Sequence, residues 1–130
     1  MSCVLKLNSL VFDDIVFKRI GERNENELEI SFSINIGVNM KNQNVKKVTI
    51  KVIGEKKDEY NFEVQASGFF YYEGDASDSI IHQNAVAIVM PYLRSEVSLL
   101  TAQPGVETVI LPPFNVVEMM HESTCIKADI

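Results

Sequence analysis

A few residues in this chain invite a chemical reading, and spacing decides each one. His82 and His121 are the only histidines, and Cys3 and Cys125 the only cysteines. A metal site needs a second His or Cys close by on the same element, and neither histidine has one. Asp13-Asp14 has the composition of a paired-carboxylate acid–base site, but adjacent strand residues face opposite sides of a sheet. The acidic stretch Glu73 to Asp78 lacks the ligand spacing of a calcium loop; Ser77 or Asp78 reads instead as a helix N-cap. No glycine-rich phosphate loop, nucleophile elbow or Cys-x-x-Cys pair occurs. The expectation is a protein that is not an enzyme, with no metal and no cofactor. The two thiols read as free thiols of a reducing compartment, with a disulfide or redox pair as the alternative.

What remains is apolar surface. Gly68-Phe69-Phe70-Tyr71-Tyr72 places four aromatics in succession. They cannot all enter one core, so at least one or two are exposed or line a crevice between sheet, loop and helix. One outcome is ordinary core and dimer packing; the other is a groove for an extended apolar peptide.

The elements that position these rings are legible. In Leu28 to Val38, Leu28, Ile30, Phe32, Ile34, Ile36 and Val38 alternate with Glu29, Ser31, Ser33, Asn35 and Gly37, the pattern of a half-buried antiparallel strand. Lys41 to Asn44 turns, Val48, Ile50 and Val52 alternate again, Gly54 to Asp58 turns, and Tyr60 to Gly68 forms the next strand. Val4 to Phe17 is an earlier strand whose alternation slips near Asn8-Ser9 and Asp13-Asp14, which predicts bulges, and Arg19 to Asn26 is a polar connection. Val86, Val89/Met90, Leu93, Val97 and Leu100 then recur at helical spacing. Pro91 predicts a kink or a helix start, and Gln103-Pro104-Gly105 a stop. Leu111-Pro112-Pro113 is extended, and Asn115 caps Val116 to His121. A sheet with one apolar face must be covered, and only the C-terminal helices can cover it. The expected fold is α+β: a four-stranded antiparallel meander with C-terminal helices on one face. The expected division is sheet at 1–72, main helix region at 76–103, loop at 104–114 and a short helix at 115–124.

The 130 residues suit one domain, and 46% hydrophobic against 23% charged residues describes a folded chain. A net charge of −6 argues against nucleic-acid binding. Lys41, Lys46, Lys47, Lys51, Lys56 and Lys57 are expected on a solvated sheet face and its turns, paired across strands with Glu27, Glu29, Glu55, Glu59 and Glu63. No apolar run has membrane-spanning length and the opening residues show no signal-peptide pattern, so the expected location is the cytoplasm, without membrane insertion.

Met90-Pro91-Tyr92-Leu93-Arg94-Ser95-Glu96, followed by Leu111-Pro112-Pro113-Phe114-Asn115, resembles the SecB protein-export chaperones, in which a Phe-Pro-Tyr-Ala-Arg-Glu helix leads to a Leu-x-Pro segment and a last helix. Glu63-Val64-Gln65 with Gly68-Phe69-Phe70 is similar to the end of the family's fourth strand, and Phe12 to Phe17 to its first. The resemblance implies an ATP-independent chaperone that assembles as a dimer or dimer of dimers and binds unfolded polypeptide in apolar grooves. Its groove residues here would be Phe69, Phe70, Tyr71, Tyr92, Leu93, Phe114, Met119 and Met120, with core packing the competing role for Leu93 and Phe114. The export branch hands clients to the motor SecA through an acidic patch, matched here at Asp14 and Glu63. Lys18 stands where the family has a further acidic residue, Asn61 where it has an apolar one, and the tail from Glu122 to Ile130 is short. The motif departs at Met90, Leu93 and Ser95. A divergent SecB-like protein is the reading, with an adaptor for one partner, such as an antitoxin, as the alternative.

Overall fold

Strict alternation along Leu28–Val38 makes a strand because it gives the backbone one face to bury and one to solvate. A computed structural model describes residues 4–113, 115–122 and 125–129. The elements are β1 (Val4–Arg19), β2 (Leu28–Val38), β3 (Val45–Lys56), β4 (Tyr60–Glu73), α1 (Asp78–Thr101), α2 (Val116–Glu122) and β5 (Cys125–Asp129). The sheet order is β1-β4-β3-β2-β5. Strands β2, β3 and β4 form the expected meander, whereas β1 crosses over to lie antiparallel beside β4. β5 was not foreseen; it pairs in parallel with β2, Ile34 opposite Cys125 through Val38 opposite Asp129.

The slips in β1 are bulges, with register shifts between Leu7 and Ser9 and between Phe12 and Asp14. Each inserted residue resets the alternation. Leu5, Leu7, Leu10, Phe12, Ile15 and Phe17 thereby oppose Tyr72, Phe70, Gly68, Ala66, Val64 and Phe62, all on the inner face. That face meets α1 through Ile34, Ile36, Val48, Ile50, Val52, Phe62, Val64, Ala66 and Phe70 against Val86, Val89, Leu93 and Val97.

Four local expectations are corrected. The hairpin turn lies at 57–59, not from Gly54, because Gly54 continues β3 opposite Phe62, whose ring occupies the space a side chain would need. The fourth strand runs past Gly68 to Glu73. Lys46 is not on the solvated face: it is in phase with Val48 and Ile50 and is buried, its ammonium 3.8 Å from Asp78. Pro91 neither starts nor splits α1. It and Ala87, one turn earlier, are both exposed, so the carbonyl that loses its helical donor lies on the solvent side.

The polar connection between β1 and β2 is tied to the β3–β4 turn. The backbone amides of Ile20 (2.8 Å) and Gly21 (3.1 Å) donate to the Glu59 carbonyl. The buried Glu59 carboxylate accepts from Lys56 Nζ at 2.9 Å and from the Asn24 amide at 2.9 Å. The Lys56 hydrogen bond, helped by the Asn24 amide, holds the Glu59 carboxyl below the usual carboxylate range. Asp58 takes the turn's left-handed position, φ 63°, which aspartate tolerates better than most side chains.

Candidate functional site

The residues after α1 return along the helix that precedes them, and three polar side chains on α1 hold them there. Arg94, Ser98 and Thr101 follow helical spacing and so share one face. Thr101 Oγ1 accepts from the Val109 amide at 2.8 Å while donating to the Val97 carbonyl at 2.8 Å. Ser98 Oγ donates to the Val109 carbonyl at 2.9 Å. Arg94 donates twice to the Leu111 carbonyl, from Nε at 3.1 Å and Nη2 at 2.9 Å. The return segment is extended, so its side chains alternate. Leu111 is buried in the core, and Ile110 beside it is 79% exposed.

Between the return segment and α1 lies an open groove of about 500 Å³ lined by Pro91, Arg94, Ser95, Ser98, Leu99, Ile110 and Leu111. Leu99 is 69% exposed, and Tyr92, on the next turn of α1 after Ile88, is 49% exposed. The groove combines exposed apolar surface with Ser98 and Arg94, whose bonds to the return-segment backbone are already made. Arg94 is its one charged lining residue and is bonded to the Leu111 carbonyl, so the groove offers contact area without converging charges, which suits weak, sequence-tolerant apolar binding better than recognition of one small molecule. Among the described residues, no group of three or more His, Cys, Asp or Glu is placed to hold a metal.

The expected groove residues are dispersed. Phe70 and Leu93 are fully buried core residues, so neither can meet a client in this conformation. Phe69 and Tyr71 are half-buried on the outer sheet face, where Lys47 lies 5.5 Å from the Phe69 ring centroid. Tyr92 is on α1, across the sheet from them. Met120 is half-buried and packs against the core with Val116. Phe114 and the side chain of Met119 lie outside the described residues, as do Cys3 and the side chains of His121 and Cys125. His82 is buried on the inner face of α1. Asn115 caps α2 as expected, its Oδ1 accepting from the Glu118 amide at 3.2 Å.

On the outer sheet face Asp14 is exposed, but Glu63 is paired with Lys51 at 3.1 Å. Lys18 pairs in register with Asn61, and Lys47 and Lys51 stand on β3, so basic residues interrupt any acidic surface there. Asp13 is drawn onto β4 by its bulge and accepts from Ser67 Oγ at 2.6 Å and Gln65 Nε2 at 3.1 Å, a role sequence reasoning missed. Leu99, Ile110 and the Arg94–Ser98–Thr101 clamp were also missed. Their signal was present: polar residues at helical spacing facing a Val-Ile-Leu alternation.

The four-stranded antiparallel sheet with α1 packed on one face places the chain in the SecB-like fold class. The Mycobacterium tuberculosis Rv1957 SecB-like chaperone, solved in complex with a ChAD peptide from the Rv1956 HigA1 antitoxin, matches with a TM-score of 0.64. The match covers 85% of this chain and 88% of that one at 14% identity. No protein-family model matches. In sequence, the chain is 35% identical over 130 residues to the uncharacterized protein MJ0357 of Methanocaldococcus jannaschii, covering 91% of this chain and 83% of that one. It belongs to the family of that protein.

Proposed function

We propose that the protein is an ATP-independent, SecB-like chaperone that holds unfolded or non-native polypeptide against the groove between α1 and its return segment. The observation that carries this reading is the exposure of Leu99 and Ile110 in one open groove whose return-segment backbone is already hydrogen-bonded, with Tyr92 exposed on the same helix. Such a surface gains from apolar contact, and the polar groups that fix it leave few new bonds to satisfy. The protein works as a homo-oligomer in the cytoplasm, through edge pairing at β1, where Val11, Ile15 and Val16 are 45–47% exposed. No helix among the described residues is long and apolar enough to cross a membrane. The outer face does not favour delivery to SecA, because Glu63 is neutralised by Lys51 and Lys18 adds positive charge to the strand face that carries Asp14.

The second reading is an adaptor for one partner peptide, favoured by the antitoxin peptide bound to the Rv1957 structure. The two separate in one assay. The chaperone reading expects suppression of aggregation of several chemically unfolded clients at stoichiometric ratio without nucleotide. Failure with all of them, alongside tight capture of a single protein, would favour the adaptor.

A further inference from the structure

We infer that β5 is a displaceable internal occupant of the β2 edge, and that a bound client takes its place there; this rests on the polypeptide-holding reading above. Cys125–Asp129 pairs in parallel with Ile34–Val38 only. The start of β2, Leu28 to Ser31, has no strand on that side among the described residues. A bare strand edge offers a row of amides and carbonyls to any extended chain, whatever its sequence. β5 fills part of that row with a short strand in the parallel arrangement, which is the less stable one per residue. Short edge strands open at low free energy.

The tether is short. α2 ends at Glu122 and β5 begins at Cys125. A link of this length keeps the occupant at an effective concentration in the millimolar range, enough to compete with a client but not to exclude it. α2 is seated on the core through Val116 and Met120, so release of β5 does not require release of α2. An incoming client could pair antiparallel along β2, starting from the Leu28–Ser31 stretch, which has no strand on that side among the described residues. Its inward side chains would lie beside Leu28 and Ile30, which are half-buried at present.

The test uses fluorescently labelled, reduced and carboxymethylated α-lactalbumin, a permanently unfolded chain, as probe. Its affinity is measured by anisotropy for the full chain and for the full-length variant Ile126→Pro with Lys127→Pro. Two consecutive prolines ensure that one removes a donor facing β2. The variant should bind about tenfold tighter, since removing a tethered competitor returns the intrinsic affinity. A second measurement needs no variant. Hydrogen exchange of the unmodified protein at saturating probe should speed up at Ile126–Asp129, while the Ile34–Val38 amides that do not bond β3 stay protected. Equal affinity of the two proteins, weaker binding by the variant, or undiminished β5 protection in the complex overturns the inference while leaving the chaperone reading intact. Absence of probe binding by both proteins overturns the two together.

Discussion

Phe69 and Phe70 are neighbours in the chain, yet only Phe70 enters the core. Period two along β4 decides this: Phe70 is in phase with Phe62, Val64 and Ala66, and Phe69 with Glu63 and Gln65. The same phase argument separates Leu93 from Tyr92 on α1. Leu93→Ala should cost about 2–5 kcal/mol in urea unfolding, the usual penalty for a buried leucine cavity. Tyr92→Ala should leave unfolding nearly unchanged and reduce client holding instead. Glu59 supplies a pH prediction. Its folded-state pKa is lowered by Lys56, so its stabilisation is full above the ordinary carboxyl pKa of about 4.3 and is lost as pH falls through the lower folded value. Melting curves should therefore place Glu59→Gln well below the parent at pH 7 and bring the two together in acid. A constant gap across pH would assign the effect to shape and not to charge. At this scale the inward and outward residues of the strands were legible from alternation. Lys46 was legible too, being in phase with Val48, but its charge suggested the opposite face. Its ammonium reaches Asp78 at the mouth of α1, and that neighbour comes from 32 residues further along the chain.

Elements were readable where the signal is local. β2 was bounded as observed, the two bulges of β1 announced themselves as slipped alternation, and Ser77 caps α1, accepting from the Ile80 amide at 3.4 Å. Pairing partners were not readable, because nothing in Val4 to Arg19 states that β4 and not β2 will lie beside it. β5 escaped notice for a related reason: five residues after a short helix acquire strand geometry only from the β2 edge they meet. The groove is also a product of two elements. It exists because Thr101, Ser98 and Arg94 hold a return segment that has no secondary structure of its own. Thr101→Val keeps the volume but strands the Val109 amide. It should cost about 1–3 kcal/mol and speed hydrogen exchange at Val109. If exchange there is unchanged, the clamp is not what shapes the groove.

The whole molecule is a one-sided sheet roofed by α1, with apolar surface left over along β1 and around Ile110. The proposed edge pairing at β1 would use one part of this surface for assembly and leave the groove free for a client. Val11→Lys with Val16→Lys should therefore lower the mass measured by light scattering to that of a smaller species without loss of helix signal. An unchanged mass would move the assembly interface elsewhere. The chaperone account itself stands or falls on where an unfolded chain touches the protein. A photoreactive amino acid at position 110, compared with one at position 71 on the outer sheet face, reports this directly in the presence of unfolded client. The account predicts adducts with several different unfolded chains from position 110 and few from position 71. Adducts from position 71 alone, or none from position 110 with any client, would contradict it.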